Sequence, residues 1–183
     1  AEHIFRPNVG SLKGKTVQRK PHLAKPIIEP LPPQIMSRYQ NVTLTADVMY
    51  VNGIPMLVTM SRNIRFATVE ALPNRKIETL ANGIKAVATI YKRASFKITT
   101  ALMDGEFEPM RGKLADLGIA LNETGRDEHV GDIERFNRTL KERMRATCNT
   151  LPFNNIPPRL VIEMAKHAIY WINSFPHPNG VSD

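Results

Sequence analysis

The sequence is most informative in one segment, Glu128-His-Val-Gly-Asp-Ile-Glu134-Arg-Phe-Asn-Arg-Thr-Leu-Lys-Glu-Arg-Met-Arg145. At about 100° per residue in a helix, its apolar side chains form one stripe, made of Ile133, Phe136, Leu140 and Met144. A separate sector carries an acid followed by cations, namely Glu134, Arg138, Lys141 and Arg145, with Asn137 at its edge. The pattern predicts a helix that packs along one face and meets phosphate with the other. It is also typical of a solvated surface helix with pairs such as Arg138 and Glu142.

Two further acids lie in predicted strands upstream of this helix. Asp47 is inside Thr43-Leu-Thr-Ala-Asp-Val-Met-Tyr-Val51, a run rich in β-branched and apolar residues before the hairpin signal Asn52-Gly53. Aspartate is depleted in strands, so this one needs a physical reason. Asp104 ends a second such run, just before Gly105. Acids at strand ends of α/β sheets often belong to sites, but each is also compatible with a turn or capping role.

The order of these acids resembles the acidic triad of retroviral and retrotransposon integrase catalytic cores, most of all the Copia-type class of long-terminal-repeat retrotransposons. The resemblance covers roughly residues 41–175. It is carried by Thr45-Ala-Asp47, Met103-Asp104-Gly-Glu-Phe107 and, most specifically, Gly131-Asp-Ile-Glu134-Arg-Phe-Asn137-Arg-Thr139. It implies an α/β, ribonuclease H-like fold with a five-stranded mixed sheet flanked by helices, which cuts or joins DNA strands with divalent metal.

The resemblance assigns catalysis and metal binding to Asp47, Asp104 and Glu134. Asp47 would bridge two Mg²⁺ ions, for which Mn²⁺ is a substitute, while Asp104 and Glu134 would each bind one. Such sites need hard oxygen ligands, because one cation activates the attacking oxygen and the other stabilises the leaving oxygen. The predicted DNA-binding residues are Asn137, Arg138, Lys141 and Arg145. For Asn137 three roles stay open: a backbone contact, support of the metal site, or a plain surface position.

The identity of the third acid is open, because the interval from Asp104 to Glu134 is shorter than in most retroviral integrases. Asp127, Glu128 and Asp132 are also candidates. Glu134 is preferred because it shares a helix face with Arg138, Lys141 and Arg145, whereas Asp132 points to another side of the helix.

Length and charge predict three parts: a basic Pro-rich arm or linker over 1–40, the core over 41–175 and a truncated tail over 176–183. The 183 residues, 42% of them hydrophobic, are enough for one buried core. Up to Gln40 there are seven basic residues and two acids, which supplies +5 of the net charge of +8. Six of the 14 prolines also lie there, so an extended or irregular arm is predicted and not a helix. It either follows DNA phosphates or connects domains with charge for solubility.

Cys148 is the single cysteine, so neither a disulfide framework nor a Cys-x-x-Cys zinc knuckle is predicted. The resemblance leads to the expectation that the zinc module, which integrases commonly carry upstream of the core, is missing or degenerate in this sequence or lies upstream of it. Four histidines, His22, His129, His167 and His177, show no ligand spacing. No apolar run approaches a membrane span, and there is no signal-peptide pattern. The absence of an initiator Met and the abrupt end suggest a piece of a longer polyprotein.

The predicted elements follow the ribonuclease H order. They are strands at 43–51, 54–60 and 63–70, a helix at 73–93, a strand at 96–103, a short helix at 106–117, a strand at 119–122, the Glu134 helix and a last helix at 159–173. Leu160, Met164, Ala168 and Trp171 are predicted to face inward, and Phe107 and Phe136 to lie in the core.

The resemblance implies an integrase that acts in the nucleus on element ends and target DNA, as a homo-oligomer and without a membrane, with a cytoplasmic particle stage also considered. Two other classes remain. One is an inactive or decayed DNA-binding transposon fragment, and the other is a ribonuclease H-like nuclease that cuts without joining.

Overall fold

The computed structural model describes residues 31–123, 130–152 and 155–175. In chain order its elements are α1 (Pro33–Tyr39), β1 (Asn41–Val51), β2 (Ile54–Ser61), β3 (Ala67–Ala71), α2 (Ile77–Arg93), β4 (Lys97–Met103), a 3-10 helix (Gly105–Met110), α3 (Arg111–Asp116), β5 (Ala120–Glu123), α4 (Val130–Asn149) and α5 (Pro158–Ser174). None of the described helices has the length and apolarity needed to cross a membrane.

The five strands form one mixed sheet in the order β3-β2-β1-β4-β5. The β1–β2 and β2–β3 pairs are antiparallel, whereas β4 pairs parallel with both β1 and β5. The longest strand, β1, therefore lies at the centre. A residue on β1 has a neighbouring strand on each side. The environment of its side chain therefore depends on the helices that pack on the two faces of the sheet.

The predicted hairpin between β1 and β2 is confirmed. Val51 pairs with Ile54, and Asn52 and Gly53 between them have φ of 49° and 77°. Two consecutive left-handed residues are the signature of the type I′ turn, whose twist matches that of the strands it joins. This local signal fixes the register of β1, and with it the face on which Asp47 lies.

The third strand starts later than predicted, at Ala67 and not at residue 63. A turn intervenes, in which Arg65 has φ of 54° and the Phe66 N–H donates to Ser61 Oγ over 2.9 Å. The apolar residues of 63–66 suggested a strand, but the serine side chain offers this backbone a competing hydrogen bond.

Two apolar clusters cover the two faces of the sheet. On one face, β1 contributes Val42, Leu44 and Ala46, which pack against α2 and the segment after β4, including the fully buried Phe107 and Leu114. On the other face, Met49 of β1 joins residues of β2 and β3 against α4 and α5. The alternation of side chains along β1 thus feeds both cores. Phe107 is buried as predicted, and Phe136 is half-buried at the second cluster.

The prediction of a non-helical arm is wrong at Pro33–Tyr39, which forms α1. Its prolines do not oppose this, because Pro33 occupies the first turn, where the missing N–H would have no helical partner. The rest of the arm, residues 1–30, lies outside the described part of the chain, as does the predicted tail 176–183.

The inward face of α5 differs from the prediction at Trp171, which is 44% exposed. Burial is instead supplied by Val161, Met164, Ala165, Ala168 and Ile169. Near its end, Asn173 pairs with the edge strand β3: its side chain accepts from the Ala67 N–H over 2.9 Å and donates to the Ala67 carbonyl over 2.8 Å. The docking of α5 against β3 therefore sets the helix rotation, and it leaves the indole outside.

Candidate active site

Asp47 lies in the interior of the central strand, opposite Val58, on the sheet face covered by α4. Both of its oxygens have donors: Oδ1 accepts from the Val48 N–H over 2.7 Å, and Oδ2 accepts from Asn137 Nδ2 over 2.7 Å. These two bonds hold the carboxylate in one orientation. They also explain why a central strand can contain an aspartate, because both carboxylate oxygens have hydrogen-bond partners.

The surroundings of Asp47 oppose its negative charge. Burial raises the pKa of this carboxyl above its usual value, and the Val48 N–H, which favours the charged form, only partly offsets this. The carboxylates of Glu106, Glu134 and Asp104 raise the pKa of Asp47 further. Four acids therefore lie close enough for their carboxylates to repel one another, and a bound cation would relieve that repulsion.

Asp104 directly follows β4 and caps the 3-10 helix, its Oδ1 accepting from the Gly105 N–H over 2.7 Å. The β1–β4 register pairs Thr45 with Leu102, so two residues further along both strands Asp47 and Asp104 come level. The capping role and the strand-end position, between which the sequence could not choose, thus coexist in one residue. Its side chain is exposed, unlike that of Asp47.

Glu134 is exposed in the first half of α4 and close enough to Asp47 to raise its pKa. Asp132, another candidate for the third acid, pairs instead with Arg135 over 2.8 Å. Arg135 also donates to the Gly131 carbonyl, so this pair is part of the start of the helix. The remaining candidates, Asp127 and Glu128, lie outside the described residues, as do His22, His129 and His177.

Asn137 is 7% exposed, so it is not a surface position. Its Nδ2 holds Asp47, while its Oδ1 is buried without a hydrogen-bond partner among the described residues. An asparagine on the edge of the charged sector therefore turns inward. Contact of this residue with DNA stays a prediction.

Glu106 was not predicted as a site residue, although it lies inside the Asp104-Gly-Glu-Phe107 motif. It forms an ion pair with Arg75, whose guanidinium lies 5.8 Å from the ring centroid of Tyr50. Its influence on Asp47 is the largest among the neighbouring carboxylates. The sequence could have indicated Glu106, because it lies two residues after the strand-end acid Asp104. It could not have indicated the ion pair with Arg75, which is a long-range contact.

The donor set at the site fits a hard divalent cation. It consists of carboxylate oxygens, which Mg²⁺ and Mn²⁺ prefer, and the side chains of Asp104 and Glu134 are exposed. Within residues 31–123, 130–152 and 155–175, no three His, Cys, Asp or Glu side chains already converge on a single point. The acids are therefore neighbours in an open arrangement, in which Asp47 is held and the other two are at the surface.

A cleft of about 730 Å³ extends from Asp47 and Glu134 along α4. Asp47, Glu134 and Asn137 line one end of it. Further along the helix the cleft is lined by three cations, Arg138, Lys141 and Arg145. They lie on the same helix face as Glu134, as predicted. In the described part of the chain these three cations form no ion pair, and the pair suggested for Arg138 and Glu142 is not present there.

No protein-family model matches this chain, and no curated protein is significantly similar to it in sequence. Solved structures do match its fold. The crystal structure of the catalytic core domain of BIV integrase superposes with a TM-score of 0.54 over 69% of this chain and 80% of that chain, at 16% identity. The predicted fold class is confirmed: the chain has the five-stranded mixed sheet and flanking helices of the ribonuclease H-like integrase core.

Proposed function

We propose that this chain is the catalytic core of an integrase from a Copia-type retrotransposon, which cuts and joins DNA phosphodiester bonds. The observation that carries the proposal is the surroundings of Asp47: a held, half-buried carboxylate with Asp104, Glu106 and Glu134 around it and a row of cations beside it. Negative charge gathered beside a row of cations on α4 serves no packing purpose. It fits divalent metal and a nucleic-acid backbone together.

Asp47, Asp104 and Glu134 would hold Mg²⁺ or Mn²⁺, which supplies activation of the attacking oxygen and stabilisation of the leaving oxygen. Val48 and Asn137 orient Asp47 through its two oxygens. Arg138, Lys141 and Arg145 bind phosphates and position the strand without selecting its sequence. The proposed partners are element ends and target DNA, the proposed state is a homo-oligomer, and the proposed compartment is the nucleus.

The test is cleavage and strand transfer on labelled DNA with Mn²⁺, comparing the wild type with Glu134→Gln. The matched control is Glu142→Gln, an exposed acid on the same helix that does not line the cleft. We expect joined products from the wild type and the control, and none from Glu134→Gln or in the presence of EDTA. Nicked strands without joined products would favour the hydrolytic nuclease.

A DNA-binding fragment without catalysis is the second candidate. It is favoured by the capping bond of Asp104, which engages one carboxylate oxygen with its own backbone. Salt-dependent DNA binding without any metal-dependent cleavage by the wild type would select this candidate and contradict the integrase proposal.

A further inference from the structure

Glu106 differs from the other acids near Asp47 because it has a cation as its partner. Its carboxylate raises the pKa of Asp47 more than the carboxylates of Glu134 and Asp104 do. Among the residues that the structure describes, Glu106 is paired with Arg75, whereas Asp104 and Glu134 form no ion pair. The acid with the strongest influence on Asp47 is therefore the one whose charge is already neutralised.

The position of Arg75 is fixed by its neighbours. It lies just before α2, where Asn74 Oδ1 accepts from the Lys76 N–H over 3.0 Å and from Thr79 Oγ1 over 2.8 Å. These bonds hold the backbone on both sides of Arg75. Its guanidinium lies 5.8 Å from the ring centroid of Tyr50 in β1. Because a planar guanidinium on an aromatic ring has a defined direction, the carboxylate that it binds is held at one place.

The pair of Arg75 and Glu106 contributes little to the stability of the fold. The two side chains are 42% and 43% exposed, and solvent screens a pair of that kind. Lys113 and Glu78 join the same two segments over 3.1 Å, so the attachment of α2 to the segment after β4 does not depend on Arg75 alone. Glu78 is not among the acids that act on Asp47. The distinctive effect of Arg75 is therefore on the charge near Asp47.

Metal chemistry gives a reason to hold one carboxylate apart. Mg²⁺ sites that act on phosphates use one or two carboxylates for each ion and keep the other positions for water and substrate oxygens. The proposed site already has three carboxylates, those of Asp47, Asp104 and Glu134. A fourth carboxylate would increase the affinity for the cation, but it would occupy a position that an oxygen of the DNA needs.

We propose that Arg75 is a positioning residue, which holds Glu106 out of the metal site and so keeps a coordination position open for a DNA phosphate oxygen. This rests on the proposed function, which assigns divalent metal to the acids around Asp47. Arg75 contacts neither metal nor DNA in this role, because it acts through Glu106. When Arg75 is removed, the carboxylate of Glu106 becomes an additional ligand and displaces a metal-bound water.

The test measures Mn²⁺ binding without DNA, using electron paramagnetic resonance for the affinity and water-proton relaxation for the number of waters on the bound ion. We expect Arg75→Ala to bind Mn²⁺ about tenfold more tightly than the wild type, at the lower end of the range of about 10–100-fold for residues around metal ligands. The bound ion should also carry fewer waters. Arg75→Lys keeps a cation beside Glu106 and should restore the wild-type affinity and the wild-type number of waters.

Two controls separate the position of Glu106 from the loss of a positive charge. Lys113→Ala removes a cation from the neighbouring ion pair and should leave the affinity for Mn²⁺ unchanged. In a protein that carries Glu106→Gln, Arg75→Ala should give a smaller gain in affinity and no loss of bound water. An equally large gain in either control overturns the proposal, because Arg75 then acts only through its charge. The proposal is also overturned if neither the wild type nor Arg75→Ala binds Mn²⁺.

The two proposals fail separately. If the wild type cuts DNA with Mn²⁺, but Arg75→Ala binds Mn²⁺ with the affinity and waters of the wild type, the function stands and the role of Arg75 falls. If Arg75→Ala binds Mn²⁺ more tightly and with fewer waters, but the wild type does not cut DNA, the role of Arg75 stands and catalysis falls. Where the wild type cuts, Arg75→Ala should raise KM for DNA more than it lowers kcat, because the added carboxylate competes with phosphate.

Discussion

Helices α2 and α4 pack against opposite faces of the sheet with the same spacing of buried residues. In α2 they are Leu80, Ile84, Val87 and Tyr91. In α4 they are Ile133, Asn137, Leu140 and Met144. Both sets step by four, three and four residues, so α4 carries an amide at the place where α2 carries Ile84. A site can therefore stand on an ordinary packing ridge, where one apolar side chain is replaced by a polar one that has a partner across the interface.

The largest expected effect comes from placing the same amide in α2. Ile84 is fully buried, and no described acid lies there to receive an asparagine N–H. Ile84→Asn should lower the free energy of unfolding by about 3–5 kcal/mol, because apolar packing is removed and a buried amide is left unsatisfied. Urea denaturation measures it. If the free energy of unfolding fell by less than about 1 kcal/mol, α2 would tolerate a buried amide as well as α4 does, and the proposed difference between the two helices would be wrong.

Asp47→Asn should raise the melting temperature at neutral pH while removing metal-dependent activity. The folded-state pKa of Asp47 is raised above its ordinary value of 3.8, so the stability linked to its proton is present below that value and lost as pH rises. The neutral amide keeps that stability at pH 7, and after a 180° rotation of the Asn137 amide it can donate to Asn137 Oδ1.

Melting curves of wild type and Asp47→Asn across pH check this. The difference in melting temperature should shrink as pH falls towards 3.8. A variant that is less stable than the wild type at neutral pH would show that the two hydrogen bonds of the carboxylate outweigh its burial and the repulsion of its neighbours.

The cations of the two helices should differ in DNA binding. Replacing Arg138, Lys141 and Arg145 with glutamine should lower the slope of log K against log salt by about 2 to 3, since each duplex phosphate that is no longer neutralised reduces the slope by about 0.9. The control replaces three exposed cations of α2, Lys85, Lys92 and Arg93, in the same way. Equal slopes for the two triple variants would show that net charge alone, and not the cleft, attracts DNA.

The smallest effect is expected at Asp132, which pairs with the largely exposed Arg135. Asp132→Asn should change the free energy of unfolding by less than about 1 kcal/mol, because solvent screens such a pair. Cleavage of DNA by Asp132→Asn should match that by the wild type. Glu134→Gln, assayed in parallel, should not cleave. Loss of cleavage in Asp132→Asn with retention in Glu134→Gln would reverse the choice of the third acid.

Two errors of sequence-based prediction, at residues 63–66 and at Trp171, share one cause. Residues 63–66 have strand-like apolar character, yet Ser61 draws that backbone into a turn. Trp171 fits the inward period of α5, yet the docking of Asn173 on β3 rotates it outward. In both cases a specific polar contact overrode a hydrophobic pattern, and such contacts involve side-chain geometry that periodicity does not contain.

Local structure follows from the sequence alone: the left-handed turn at Asn52-Gly53, the amphipathic periods of α2 and α4, and the common face of Glu134 and its cations. These follow from backbone preferences and spacing within a few residues. Other features arise from tertiary packing: Asn137 turns inward to Asp47 from 90 residues away, Arg75 forms an ion pair with Glu106, and the cations of α4 border a cleft. These features depend on which helix and sheet faces meet. The contacts join residues that are distant in sequence, so they stabilise the protein only in its folded state.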